Sequence, residues 1–157
     1  MLLDDVVGMV SKQHYETLIH THLCRIFDEF DGLIRVYHND TPCSHLLESL
    51  AETGFDVFNF SHETDIEQAK AKMGHRVALM GNVPPVDVGV RGTPEEVAQW
   101  AKQCLDKAAP GGGMILSFGG GVSPNTPPEN IDALLSAARE WSADLQATST
   151  PRKQIND

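Results

Sequence analysis

No run of apolar residues in this 157-residue chain approaches the roughly 20 that a bilayer-spanning helix needs, so a helical membrane span is excluded. Basic charge is also scarce. Twelve Lys and Arg stand against 22 Asp and Glu, which gives a formal net charge of −10. So acidic a surface repels phosphate backbones and anionic lipid, and argues against nucleic acid or membrane as a main partner. Cysteine is sparse, odd in number and widely spaced. Cys24, Cys43 and Cys104 make no disulfide framework and fit a reducing cytoplasm. The opening Met1-Leu2-Leu3-Asp4-Asp5 has neither the basic start nor the apolar core of a signal peptide, and a cytoplasmic location is expected.

What the chain does have is a strict alternation of short apolar runs with capped helical stretches. The runs near residues 33–38, 55–60, 76–81 and 113–118 read as strands. They are continuously apolar rather than alternating, the pattern of strands buried on both faces of a parallel sheet. Between and around them, helices are expected over Ser11 to Phe30, Cys43 to Thr53, Thr64 to Met73, Thr93 to Ala109 and Thr126 to about Leu145. Thr64 with Glu67 and Thr93 with Glu96 have capping-box spacing. Such alternation predicts right-handed βα crossovers. The fold class is therefore α/β, a run of parallel βα units, and four such units would supply half of an eight-stranded barrel. One domain over residues 1–145 is expected, followed by a polar, flexible tail over 146–157.

Each unit ends in a polar tip, and in parallel α/β folds ligands sit at the carboxyl ends of strands. His38 and Asp40 are two apart at one tip, so in extended chain both side chains face one ligand. They are candidates for an acid/base pair or for metal ligands, against the plainer role of fixing a loop. His62, at the next tip, is the third candidate ligand. Two nitrogens and a carboxylate suit zinc and leave a coordination position open. Glu63 and Asp65 read rather as helix-start residues that favour the dipole. Asn82, in Gly81-Asn82-Val83-Pro84-Pro85, can donate to a substrate carboxylate or carbonyl, or can serve a turn. Gly119, Gly120 and Gly121 match neither a dinucleotide fingerprint nor a P-loop. They suit a tight turn that brings backbone close to a substrate.

These motifs bring a resemblance. Val77-Ala78-Leu79-Met80-Gly81-Asn82-Val83-Pro84-Pro85 and Ile115-Leu116-Ser117-Phe118-Gly119-Gly120-Gly121-Val122-Ser123-Pro124-Asn125-Thr126-Pro127-Pro128-Glu129-Asn130 resemble the "aLqGNldP" and last-strand "PdTPpEN" segments of the uroporphyrinogen decarboxylase superfamily. Leu3-Asp4-Asp5 through Ser11 is similar to its "DD…llS" stretch before a mid-barrel helix. The resemblance covers roughly residues 3–142, in order, and matches the C-terminal half of the family's TIM barrel. That superfamily also contains cobalamin-dependent methyltransferases. The resemblance implies either porphyrin decarboxylation, which needs no cofactor, or methyl transfer with zinc and a corrinoid carried on a partner protein. It also implies a small-molecule substrate.

The departures from the family pattern are specific. The decarboxylases carry a histidine in the last glycine-rich tip, where Gly120 stands. The methyltransferases hold zinc through His-x-Cys plus a last-tip Cys. His38 matches that histidine, while Asp40 and Gly120 replace the two thiolates. The decarboxylases' substrate-handling residues lie mostly in the other half of their barrel, so the isolated chain is expected not to decarboxylate uroporphyrinogen. A methyltransferase-type role, or the C-terminal half of such an enzyme, is the leading expectation. A decarboxylase is the second, and a non-catalytic half-barrel that binds a ligand or partner is the third. Two open sheet edges predict self-association, as a homodimer closing eight strands, or pairing with a complementary N-terminal half-barrel.

Overall fold

Apolar runs become parallel strands only when helices cover them, and in the computed structural model, which describes residues 1–149, they do. Five strands, β1 (Leu2–Leu3), β2 (Val36–Asn39), β3 (Val57–Phe60), β4 (Ala78–Val83) and β5 (Met114–Phe118), form one parallel sheet in the order of the chain. Sequential, all-parallel order with a helix between neighbours is the wall of a TIM barrel. Between β1 and β2 lie α1 (Lys12–His14), a π-helical stretch (Tyr15–Ile19) and α2 (His20–Asp28). α3 (Leu47–Ala51), α4 (Ile66–Met73), a π-helical Pro85–Val90 with α5 (Pro94–Ala108), and α6 (Pro128–Ser149) follow the later strands. No helix among the described residues is long and apolar enough to cross a membrane.

Four expected strands are thus five, because a two-residue strand carries no periodic signal. Eight-strand closure by two identical copies no longer follows, since twice five strands is ten. The first expected strand also shifts: Leu33 and Ile34 are 64% and 80% exposed and lie before β2. The last helix runs beyond Leu145 to Ser149. The remainder of the expected tail, residues 150–157, lies outside the described residues.

Side chains alternate across the sheet. Tyr37, Phe58 and Leu79 share a register row and face the helices, fully buried. Tyr37 stacks on Phe58 with ring centroids 5.9 Å apart, and Phe58 on Phe60 at 5.2 Å. Each such burial contributes roughly 1.5–3 kcal/mol. The next row, on the opposite face, is Leu3–His38–Asn59–Met80–Ile115. Asn59 at its centre is buried, whereas Leu3 and Ile115 at its ends are 68% and 42% exposed.

Caps explain where the helices start. Thr93 Oγ accepts from Glu96 N, and Glu96 Oε2 accepts from Thr93 N at 2.8 Å, the capping box its spacing predicts. At α4 the expectation fails. Asp65 is the cap, accepting from the amides of Glu67 and Gln68, while buried Thr64 accepts from Cys43 N at 3.1 Å.

Candidate active site at the carboxyl ends of β1 and β2

β2 delivers His38 at its carboxyl end, and β1, one strand over, ends at Leu3 so that Asp4 and Asp5 begin the loop beside it. Parallel pairing in register places these tips together. Asp5, His38 and Asp40 each offer a ligand atom, and these atoms all lie within 4.8 Å of one another. His38 Nε2 is 3.4 Å from Asp40 Oδ2 and 3.7 Å from Asp5 Oδ1. The Asp40 backbone N–H donates to Asp5 Oδ1 at 3.1 Å, which ties the two loops together.

The orientation of His38 is set from the other side. Asn59 Nδ2 donates to the Met80 carbonyl at 3.0 Å, which leaves Asn59 Oδ1 facing His38 Nδ1 at 2.6 Å. An amide oxygen only accepts, so Nδ1 carries the hydrogen. Nε2 of a neutral ring then presents a lone pair to two carboxylates. Three electron-rich groups converge on one point, and a proton or a cation there relieves their repulsion.

Gly120 completes the arrangement through what it lacks. Its φ is +79°, and a Cβ built on it would overlap the Asp40 carboxylate. The glycine-rich tip after β5 therefore lies directly against Asp40. Gly119 is equally constrained, since a Cβ there would sit 2.9 Å from His62 N. Gly121 faces open space. The backbone of this tip thus lies against the Asp40 carboxylate and the His62 amide.

Two sequence expectations are corrected. His62 does not join His38 and Asp40. It is exposed, and with Trp100, Gln103 and Lys107 it lines a separate cleft of about 260 Å3 beside α5. Its place is taken by Asp5, which belongs to a strand too short to read from sequence. The only signal of it was the Leu3-Asp4-Asp5 stretch. Asn82 is the second correction. It is 5% exposed, and its Nδ2 donates to the carbonyls of Ser61 and Thr64 at 3.3 and 2.8 Å, with Cys104 Sγ donating to its Oδ1. Its protons hold the β3–α4 loop and are not offered to a substrate. Asn59, by contrast, went unnoticed in the sequence and is the residue that orients the imidazole.

The neighbouring ionisable groups are structural. Burial pushes the Tyr37 hydroxyl far above the ordinary tyrosine range, and its hydrogen bond to Asp4 Oδ2 at 2.8 Å adds to this. Burial likewise raises the Cys43 and Cys104 thiols, so neither offers a thiolate at neutral pH.

Comparison with known proteins bears on the family and the fold. Residues 1–141 match the family model for uroporphyrinogen decarboxylase (URO-D). Two relatives named uroporphyrinogen decarboxylase, from Azoarcus sp. and Methylococcus capsulatus, are 33% and 34% identical over 94% of this chain, and the match covers 42% and 43% of their own lengths. The chain thus spans about two fifths of the relatives it matches. Among solved structures, a methyltransferase from Methanosarcina mazei superposes with a TM-score of 0.81 at 24% identity, covering 90% of this chain and 41% of that one. At that identity the likeness speaks for the fold. The parallel βα wall, the motif-bearing tips of β4 and β5 and the family match over nine tenths of its length together make this chain a member of the uroporphyrinogen decarboxylase family.

Proposed function

We infer that the protein to which this chain belongs is a methyltransferase-type member of the family, in which Asp5, His38 and Asp40 hold a divalent cation at the barrel mouth. The observation that carries this reading is the convergence of His38 Nε2 and two carboxylates on one point, with Nδ1 tied off by Asn59. A metal-ligating histidine characteristically donates its other nitrogen in this way. The donor set fits a cation, though it differs from the thiolate zinc site of the family's methyltransferases, whose two Cys positions hold Asp40 and Gly120 in this chain. One imidazole nitrogen and two carboxylate oxygens suit a borderline or hard divalent ion such as zinc or manganese.

A cation held there would favour deprotonation of an acceptor thiol or water near neutral pH, the chemistry that accepting a methyl group needs. The chain's own residues prepare the place. Asn59 fixes the ring, the Asp40 amide draws the β1 and β2 loops together, and Gly120 leaves room for the Asp40 carboxylate. A corrinoid on a partner protein is the methyl donor in this reading, and a small molecule the acceptor.

Decarboxylation of a porphyrin precursor is the second reading, favoured by the names of the 33–34% identical relatives. In it His38 and Asp40 work as an acid/base pair with no metal. Titration of chelator-stripped protein with Zn2+ and with Mn2+, followed by calorimetry, separates the two. The first reading expects about one cation per chain, lost in His38→Ala, weakened in Asp5→Asn and retained in His62→Ala. Absence of stoichiometric binding of either ion overturns it.

A further inference from the structure

Asp5 has little of its own to hold it at the site. Its side chain is 64% exposed, and its carboxylate shares one point with that of Asp40, which repels it. The hydrogen bond it accepts from the Asp40 N–H is open to solvent. The firmer hold is one residue back, where Asp4 is bonded three ways. Its N–H donates to the His38 carbonyl at 3.0 Å, which extends the β1–β2 ladder past the end of β1. Its Oδ1 accepts from the Val6 and Val7 amides at 2.8 and 3.2 Å and so fixes the turn that carries Asp5. Its Oδ2 accepts from the Tyr37 hydroxyl at 2.8 Å.

Tyr37 precedes His38 on β2, and its ring lies on the opposite, helix-covered face, fully buried and stacked on Phe58. A buried hydroxyl needs a partner, and a carboxylate is a stronger acceptor than a neutral group. The aromatic core thus holds the hydroxyl, and the hydroxyl holds Asp4. The far end of the same loop is anchored separately. The Gly8 N–H donates to Thr41 Oγ1 at 3.1 Å, and Thr41 Oγ1 donates in turn to Oδ1 of buried Asn39 at 2.6 Å. Asp5 lies between these two anchors. We propose that Tyr37 is a positioning residue of the site: its hydroxyl, acting through the Asp4 carboxylate, holds the β1 loop so that Asp5 stands beside His38 and opposite Asp40. As to the cation this rests on the function inferred above; as to the placement of Asp5 it does not.

The test is amide hydrogen exchange in the full chain, read by NMR. The Asp40 amide reports the bond to Asp5, and the Leu79 amide, bonded to the Gly113 carbonyl at 2.8 Å, reports the stability of the whole sheet. Tyr37→Phe removes the hydroxyl and keeps the stacked ring. It should speed exchange at Asp40 about tenfold beyond any change at Leu79. In an Asp5→Ala background it should add nothing, because the bond it acts on is gone. Asp4→Ala breaks the same link from outside the core and should reproduce the effect. Tyr15→Phe is the control. Its hydroxyl is equally buried but bonds Thr53 Oγ1 at 2.6 Å rather than the β1 loop, so Asp40 should not move relative to Leu79. Calorimetry should show Zn2+ affinity about tenfold weaker in Tyr37→Phe and unchanged in Tyr15→Phe. Equal acceleration at Asp40 and Leu79, additive effects of Tyr37→Phe and Asp5→Ala, or unaltered affinity in a chain that binds the ion overturns the proposal. A chain that binds neither Zn2+ nor Mn2+ overturns the cation reading alone, and the Asp40 amide still decides the role of Tyr37.

Discussion

The tips of β2 and β4 look alike in sequence, each a polar residue at the end of an apolar run, yet they are used in opposite ways. At β2 the His38 ring is held by Asn59 on one nitrogen and leaves the other facing two carboxylates. At β4 the Asn82 amide turns into the protein and spends its protons on Ser61 and Thr64. One tip keeps a polar atom in reserve, and the other keeps none. A polar residue at a strand end is therefore a candidate for chemistry only when its partners leave some capacity unspent.

The contrast is sharpest when each tip is broken. Asn82→Leu leaves the buried Thr64 carbonyl without its donor, while the Ser61 carbonyl keeps the Thr64 amide, so a loss of about 1–3 kcal/mol in urea unfolding is expected, with cation affinity changed only as far as the fold is. Asn59→Leu frees the His38 ring. It should lower cation affinity by about 10–100-fold, measured by calorimetry, with a smaller loss of stability than Asn82→Leu shows. Gly120→Ala forces a side chain onto a left-handed backbone and against Asp40. A stability loss of about 1–2 kcal/mol should accompany a weaker cation site. Equal effects of Asn59→Leu and Asn82→Leu on both measurements would erase the distinction between the tips.

The smallest effect lies at the other end of the sheet. Arg35 donates to both oxygens of Asp56, at 3.1 and 2.9 Å, and holds that carboxyl below the usual range. A depressed folded value means stability is present above the unfolded pKa and fades as pH falls through the folded one. The pair is half-buried and still reaches solvent, so the dip below the ordinary aspartate range should be small and should shrink with salt. Arg35→Gln should flatten that part of the stability–pH curve and leave cation binding untouched.

Much of the scaffold was legible in the sequence because burial and capping leave local marks. The runs at Val57–Phe60 and Met114–Phe118 are strands, and Thr93 caps its helix through Glu96 as its spacing predicts. The site was legible only in part. His38, on β2, and Asp40, just past its end, stand two apart and do converge. Asp5 and Asn59 join them through pairing between strands, which no local pattern records. His62 had the right spacing from its strand but lies on the exposed loop beside α5. Leu33 and Ile34 show the reverse error: an apolar pair read as strand whose exposure belongs to an open edge.

The row Leu3–His38–Asn59–Met80–Ile115 divides labour along one line of the sheet. Its apolar ends, Leu3 and Ile115, lie open to solvent, and its polar middle, His38 held by Asn59, lies sheltered within the sheet. Apolar surface and chemistry thus fall to different positions of a single register. Substitutions at His38 or Asn59 can alter what is bound without touching the apolar ends. In evolutionary terms, one wall can keep its shape while the reaction at its mouth drifts.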